Sequence, residues 1–182
     1  MLIRQATRDD GPGCAELYAP YVTDTAISFE AEPPTAEQMA DRIEAANRQH
    51  AWLVAEEGTE GGAGGAGAGR VLGYAFGGVW KPRAAYRWTC EVSVYLRPGL
   101  RRTGTGRALY EALFARLVQR GYLVGVAGMT LPNDPSAGLH RALGFTEVGT
   151  YREVGWKHGA WRDVTWMQKM LATGAIPPVE PG

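Results

Sequence analysis

The chain has 182 residues, a formal net charge of zero and two cysteines, Cys14 and Cys90. The balanced charge does not indicate a nucleic-acid-binding surface, and no apolar stretch is long enough to predict a membrane span. The first residues lack a signal-peptide pattern, and the cysteines lie far apart in apolar contexts that favour reduced core residues. We therefore expect a cytoplasmic protein that binds no metal, nucleic acid or membrane.

Apolar periodicity predicts helices and strands in alternation along the chain. The predicted strands are residues 2–6, 52–56, 71–80, 87–96, 122–127, 145–154 and 161–171. The predicted helices are residues 10–22, capped by Asp9 or Asp10, and residues 35–49, 104–120 and 133–143. Short connections between the early strands favour the α/β (α+β) class. We expect a mixed, mostly antiparallel sheet of about seven strands flanked by about four helices.

Two segments are predicted to contribute little to the core. Residues 58–69 are almost all glycine and alanine, which predicts a flexible hairpin loop between two antiparallel strands. Residues 172–182 contain three prolines and predict an extended C-terminal tail. The remaining chain, residues 1–171, is predicted to form a single domain.

A glycine-rich turn separates the fourth predicted strand from the third predicted helix. Its residues are Arg101, Arg102, Thr103, Gly104, Thr105 and Gly106. Such a turn leaves backbone N–H groups unpaired at the positive end of a helix dipole, where they bind phosphate. The adjacent arginines add charge-assisted donors that suit a pyrophosphate.

Three cofactor motifs compete for this turn, beside an ordinary strand–helix connection. A dinucleotide fingerprint needs a small residue where Leu109 stands, and a P-loop beginning at Gly99 needs a lysine in place of Thr105. The third motif, Arg/Gln-x-x-Gly-x-Gly/Ala, is matched by Arg101, Gly104 and Gly106. It is the pyrophosphate loop of the GNAT acyltransferases, which bind acetyl-CoA.

Further blocks spread over residues 6–171 resemble the phosphinothricin and methionine sulfoximine N-acetyltransferase branch of the GNAT superfamily. They are Ser28-Phe29-Glu30, Gly73-Tyr74-Ala75, Trp80-Lys81-Pro82-Arg83, Glu91-Val92-Ser93-Val94-Tyr95, Leu131-Pro132-Asn133, Leu139-His140 and residues 154–164. The resemblance implies the GNAT fold and acetyl-CoA as co-substrate. It also implies acetylation of the primary amine of a small amino-acid-like molecule, and a homodimer to which the hairpin at residues 156–159 contributes.

The resemblance also assigns cofactor contacts. The backbone of Val94, Tyr95 and Leu96 would pair with the peptide-like pantetheine arm, for which this strand must splay from the strand predicted at residues 122–127. Residues 101–106 would hold the pyrophosphate. Asn133 and Ser136 would bind the cofactor near its thioester end, although Asn133 is equally suited simply to cap the helix that follows it.

Glu91 is the first candidate for catalysis. Strand alternation places it with Ser93 and Tyr95 on one face of an otherwise apolar strand, where a carboxylate is costly without a purpose. The attacking amine must be neutral, and an α-amino group loses its proton near neutral pH at a cost of only about 1.4 kcal/mol. A modest general base therefore suffices. An ion pair with Arg83 or Arg87 is the structural alternative.

His140 is the second candidate. It lies one helical turn beyond Ser136, so a neutral imidazole there could accept the amine proton or relay it to Glu91. The alternative is a histidine that is hydrogen-bonded within the helix packing.

Phe29, Tyr74, Arg83 and Tyr86 are the predicted acceptor pocket. Arginine can grip a carboxylate or phosphinate bidentately, although Arg83 could also be a surface cation and the aromatic residues could belong to the core. Two other function classes remain open. One is a GNAT that acetylates a protein N-terminus or another amine, and the other is a non-catalytic acyl-CoA-binding module, which would need neither Glu91 nor His140.

Overall fold

The structure is a computed structural model that describes residues 1–58, 69–100, 102–174, 178 and 180–181. Most of the predicted glycine- and alanine-rich loop, part of the predicted tail, and Arg101 lie outside the described residues. Within these residues, no helix is long and apolar enough to cross a bilayer.

In the part of the chain that the structure describes, the fold has seven strands and four α-helices. The strands are β1 (Leu2–Gln5), β2 (Trp52–Glu56), β3 (Val71–Val79), β4 (Thr89–Leu96), β5 (Val124–Thr130), β6 (Thr146–Lys157) and β7 (Ala160–Met170). The helices are α1 (Gly11–Thr23), α2 (Ala36–Gln49), α3 (Thr105–Gln119) and α4 (Asp134–Ala142).

The strands form one mixed sheet in the order β1-β2-β3-β4-β5-β7-β6. Every neighbouring pair is antiparallel except β4 and β5, which are parallel. A mostly antiparallel sheet flanked by four helices confirms the predicted fold class. The parallel pair requires a crossover connection, and α3 provides it.

Helices cover both faces of the sheet. On one face, α3 packs on β2, β3 and β4, and its buried residues Leu109, Leu113 and Leu117 join a core that contains Cys90 and Val92. On the other face, α1 and α2 enclose a second core around Tyr74. Because successive strand residues point to opposite faces, β4 contributes side chains to both cores and separates the two.

Element boundaries differ from the sequence prediction at several ends. Strand β5 begins at Val124 instead of Tyr122, because the Tyr122 N–H donates to the Leu117 carbonyl and closes the end of α3 after Gly121, whose φ is +90°. Strand β4 begins at Thr89 instead of Arg87, because residues 84–86 form a 3₁₀ turn.

The predicted cap of α1 has a different role. Asp10 is the N-cap residue of α1, but its side chain makes no capping hydrogen bond to that helix. It accepts from the Thr7 N–H at 2.8 Å and from the Arg4 guanidinium at 2.8 and 2.7 Å. Arg4 also reaches Glu56 on β2 at 2.8 Å. Burial opposes ionisation of the Asp10 carboxyl, but these hydrogen bonds outweigh it and lower its pKa.

Replacing Arg4 with methionine should destabilise the fold by about 3 kcal/mol, because a buried carboxylate loses its charged partner. Urea unfolding at pH 7 measures the free energy of unfolding. The matched control is Arg8→Met, whose partners Glu37, Asp41 and Glu44 are exposed and whose unfolding midpoint should stay near that of the wild type. Equal losses of unfolding free energy in the two variants would contradict a special role for the contacts of Arg4 with Asp10 and Glu56.

Candidate active site

A groove opens where β4 and β5 separate. The two strands pair at Thr89–Val124, Cys90–Gly125 and Glu91–Val126, and no pair beyond these forms in the described part of the chain. Strand β4 nevertheless continues to Leu96 and β5 to Thr130. The cavity between them has a volume of about 460 Å³. The sequence analysis expected these two strands to separate in order to make room for a pantetheine arm.

The turn before α3 has the geometry of an anion site. Gly104 is the N-cap residue of the 15-residue helix α3 and has a left-handed backbone with φ of +80°. A Cβ built on Gly104 would meet no atom within 4 Å, so the space in front of the helix is open. The Thr105 and Thr103 hydroxyls are 2.9 Å apart, and Arg102 is exposed beside them. The Thr105 N–H reaches the Thr103 hydroxyl at 3.5 Å, and the N–H groups that follow it in the first turn lack an intrahelical acceptor, which suits phosphate binding.

The predicted cofactor residues on β4 and α4 line the groove together. They are Val94, Tyr95, Leu96, Asn133 and Ser136. The Leu96 carbonyl is already engaged, because the Tyr21 hydroxyl donates to it at 2.6 Å. The Asn133 side chain accepts from the Ser136 N–H at 3.3 Å, so it caps α4 as the alternative interpretation proposed, while also facing the groove. Asn133 can therefore cap α4 and still contact a cofactor in the groove.

Glu91 lies at the last paired position before the strands part. Its carboxylate forms no hydrogen bond or salt bridge with the described residues, which contradicts the ion pair considered with Arg83 or Arg87. Arg87 instead pairs with Glu180 at 2.5 Å. Burial raises the pKa of the Glu91 carboxyl, and the charge of Lys81 opposes this rise in part. A raised pKa makes a carboxylate a stronger proton acceptor.

His140 is buried on the opposite side of β4, within the packing of α3 and α4. Its Nδ1 lies 2.7 Å from the Ser136 carbonyl, which can only accept, so Nδ1 donates. Burial lowers the pKa of this imidazole, which favours the neutral ring. In the neutral ring Nε2 accepts, and the Tyr110 hydroxyl donates to it at 3.1 Å. Both ring nitrogens are engaged, and no hydrogen bond joins His140 to Glu91 among the described residues.

A second cavity, of 390 Å³, lies on the face of the sheet to which strand alternation assigns both Tyr95 and Glu91; Tyr95 lines it, whereas Glu91 lines neither cavity. We call it the aromatic cavity, because its walls include Tyr18, Trp52, Tyr74, Phe76 and Tyr95. The Glu30 carboxylate and the Arg42 guanidinium, paired at 2.7 Å, stand at its edge. Gly78 also lines it and is the cross-strand partner of Glu91. Tyr95 lines both this cavity and the groove.

The four predicted acceptor residues do not form one pocket. Tyr74 is 1% exposed and lines the aromatic cavity. Phe29 is 44% exposed and packs against Gly155 of β6, where an added Cβ would overlap its ring. Tyr86 packs edge-on against Trp80 with ring centroids 5.0 Å apart, and Arg83 is exposed near it. Phe29, Arg83 and Tyr86 line neither of the two described cavities.

Two residues near the site were missed from the sequence. Tyr110 lines the groove and donates a hydrogen bond to His140. The sequence could have indicated it, because Tyr110 lies in the apolar stripe of α3 with Leu109 and Leu113, and a buried tyrosine needs a partner for its hydroxyl. Lys81, the charge that acts on Glu91, stands two positions before Arg83. Among the described residues, no cluster of three or more His, Cys, Asp or Glu side chains could hold a metal ion.

The fold and site together define the class of protein. Two parallel strands part beside an open, glycine-led helix N-terminus, and a carboxylate with a raised pKa stands at the point of separation. Such a site suits a long phosphate-bearing acyl donor on one side of the sheet and a second reactant on the other. The family model of the acetyltransferase (GNAT) domain matches residues 3–166. The chain therefore belongs to the GNAT acetyltransferase family.

Individual relatives agree with this assignment. The chain is 38% identical to the phosphinothricin N-acetyltransferase of Streptomyces viridochromogenes, covering 98% of this chain and 93% of that one. It is 39% identical to the L-methionine sulfoximine/L-methionine sulfone acetyltransferase of Pseudomonas aeruginosa, covering 93% and 94%. Its fold is similar to a phosphinothricin acetyltransferase from Sinorhizobium meliloti solved in complex with acetyl-CoA. That similarity has a TM-score of 0.86 at 31% identity, covering 100% of this chain and 92% of that one.

Substituting Gly104 with valine should raise the dissociation constant of CoA at least about tenfold, because a branched side chain opposes the left-handed backbone and fills the space before the helix. The increase in melting temperature caused by CoA measures this loss. The matched control is Gly159→Val in the β6–β7 turn, where φ is +70° and the surroundings are equally open. It should lower stability to a similar degree and leave the CoA-induced shift intact. A normal CoA response in the Gly104 variant would remove this turn from the cofactor site.

Proposed function

We propose that the protein transfers an acetyl group from acetyl-CoA to the primary amine of a small amino-acid-like molecule of the phosphinothricin or methionine sulfoximine and sulfone type. The observation that carries this proposal is the position of Glu91 at the parting of β4 and β5, with a raised pKa and no protein partner. Family membership supports the reaction, and the names of the two relatives support the class of amine.

The residues of the groove fit acetyl-CoA. Beyond Glu91, the edge of β4 that faces β5 has no strand partner in the described chain, which suits the amide groups of a pantetheine arm. The exposed Arg102 and the N-terminus of α3 suit its pyrophosphate. When bound, acetyl-CoA supplies an activated acetyl thioester. The protein's part is to orient the two reactants and to move one proton.

Glu91 is the proposed general base. Its carboxylate accepts the proton that the ammonium group must lose before its lone pair can attack. Lys81 stands close enough to influence this carboxyl, and it would also attract an anionic group on the acceptor. Both ring nitrogens of His140 are engaged in hydrogen bonds, so we assign it a role on the side of the sheet that faces the cofactor groove. There it accepts a hydrogen bond from the Tyr110 hydroxyl and fixes that side chain in the wall of the groove.

Acetyl transfer to a panel of amines tests the proposed function. Release of the CoA thiol should be fastest with phosphinothricin, methionine sulfoximine or methionine sulfone, and slower with peptides that present a free N-terminus. Faster transfer to the peptides would favour the acetylation of protein N-termini. Stabilisation by CoA without transfer to any amine would leave a non-catalytic binding module.

Replacing Glu91 with glutamine should lower kcat at least about 100-fold while CoA still stabilises the protein, because the base is lost and the groove is kept. In the wild type, kcat/KM should fall as the pH drops through the pKa of Glu91. Burial places that pKa above the usual value for glutamate, about 4.3.

This acidic limb should be absent from the Gln variant, leaving only the titration of the amine. Glu111→Gln, an exposed carboxyl on α3, is the control and should keep both kcat and the pH profile. An unchanged kcat in Glu91→Gln would exclude Glu91 as the base.

We also propose a homodimer formed through the β6–β7 hairpin. Strand β6 is at the edge of the sheet, and the hairpin exposes a series of large apolar side chains. They are Val148, Tyr151, Val154, Trp156 and Trp161, each between 54% and 62% exposed. An apolar edge of this kind favours pairing with another chain, and the family resemblance favours a second copy.

The double variant Trp156→Glu/Trp161→Glu should sediment as a monomer, whereas the wild type should sediment at twice the chain mass of 19.7 kDa. The two indoles form one cross-strand pair, with ring centroids 5.3 Å apart, so charges there would be buried by pairing. Val118→Glu, an exposed apolar position on α3, should remain dimeric. A monomeric wild type would exclude the proposed dimer.

Two further expectations accompany the reaction. Acetylation removes the positive charge of the amine, and we propose that this inactivates amino-acid analogues that act as inhibitors. Acetyl-CoA as donor and two free, buried cysteines support a cytoplasmic enzyme.

A further inference from the structure

The segment between α1 and α2 borders both cavities. Its residues Asp24, Thr25 and Ile27 line the cofactor groove, and Glu30 lines the aromatic cavity. The segment, residues 24–30, contains no helix or strand, so its backbone groups need side-chain partners. The Ile27 and Glu30 N–H groups donate to the Thr25 and Ser28 hydroxyls of the segment itself, whereas several of its carbonyls are bonded from β6 and the turn after it. We call it the bridging segment.

Lys157, at the end of β6, joins the last turn of α1 to the far end of this segment. Its half-buried ammonium group donates to the carbonyls of Val22, Ser28 and Glu30 at 2.7, 2.9 and 2.6 Å. A lysine has three donors, and all three are used on backbone oxygens. The positive charge also helps to lower the pKa of the Glu30 carboxyl, behind the larger effect of the hydrogen bond from Arg42.

Neighbouring residues of the hairpin reinforce this contact. The His158 Nε2 lies 3.0 Å from the Thr25 carbonyl, and the absence of a side chain at Gly155 lets the Phe29 ring pack directly on β6. Inside the segment, the Ser28 hydroxyl is 2.7 Å from the Tyr18 hydroxyl, which donates to Glu30 at 3.0 Å. The position of Glu30 at the aromatic cavity thus depends on contacts from α1, α2 and β6.

We propose that Lys157 is a positioning residue for the acceptor amine: its ammonium group fixes the bridging segment, and acceptor affinity depends on that fixed segment. The inference rests on the proposed function, with the acceptor in the aromatic cavity, and extends it to a residue that lines neither cavity. Most of the cofactor groove is built by β4, residues 97–100, β5 and α4, to which Lys157 makes no hydrogen bond among the described residues. Two of the three carbonyls that Lys157 holds, those of Ser28 and Glu30, lie at the end of the segment that borders the aromatic cavity. Acceptor binding should therefore be more sensitive to Lys157 than cofactor binding is.

Steady-state kinetics of Lys157→Met tests the inference, with the amine that the wild type acetylates fastest. The methionine keeps the aliphatic length and removes every donor. The acceptor KM should rise at least tenfold, kcat should change less than threefold, and the KM for acetyl-CoA should change less than twofold. The matched control is Lys169→Met on β7, which should keep all three values. Lys157→Arg, which restores a charged donor, should recover part of the acceptor affinity. An unchanged acceptor KM, or an equal rise in both KM values, would overturn the proposal.

Hydrogen exchange supplies a readout that does not depend on activity. Amides in residues 22–30 should exchange at least tenfold faster in Lys157→Met than in the wild type, and Lys169→Met should match the wild type there. Unchanged exchange would overturn the proposal even if the kinetics were altered. If the wild type acetylates no amino-acid analogue, the proposed function fails while this measurement still decides whether Lys157 fixes the segment. Should the Met variant not fold, Lys157→Gln, which is neutral and has fewer donors, decides in the same two measurements.

Discussion

The separation of β4 from β5 is the constraint on which the rest of the structure depends. After three parallel pairs the strands diverge, and the backbone edge of β4 from Val92 onward loses its neighbour inside the protein. Unpaired peptide groups are costly in an interior unless they find other partners. The Tyr21 hydroxyl satisfies one of them at Leu96. A ligand with amide groups of its own can form hydrogen bonds with other unpaired groups of β4, so the fold favours binding of a peptide-like ligand.

The same strand also divides the chemistry between two faces. Side chains at alternate positions of β4 enter two different environments. Val92 and Cys90 join the core under α3, whereas Glu91 and Tyr95 belong to the face covered by α1 and α2. Tyr110 and His140 lie on the first face, and the aromatic cavity lies on the second. Two reactants can therefore approach from opposite sides and meet only where the sheet is open.

Local signals in the sequence predicted much of this arrangement. Helix α2 begins after Thr35, where its predicted range starts, and Thr35 forms a capping box with Gln38; Gly104 lies in the predicted glycine-rich turn and begins α3 with a left-handed backbone. Contacts between distant segments could not be predicted. Lys157 reaches carbonyls 127 to 135 residues earlier, and Asp10 turns from its helix to Arg4. The walls of the aromatic cavity come from α1, α2, β2, β3 and β4. Such pairings depend on how elements pack, which neither periodicity nor propensity encodes.

Tyr95 forms part of the wall of both cavities, and this shared wall has an energetic consequence. Its ring packs against Tyr18, Tyr21 and Tyr74, with centroids 4.9 to 5.5 Å apart, so it has little freedom to serve one ligand without affecting the other. A molecule that fixes or shifts this ring on one side changes the free energy of binding on the other. By thermodynamic reciprocity the second ligand then acts on the first by the same factor. One aromatic side chain thus links whatever binds in the groove to whatever binds in the aromatic cavity.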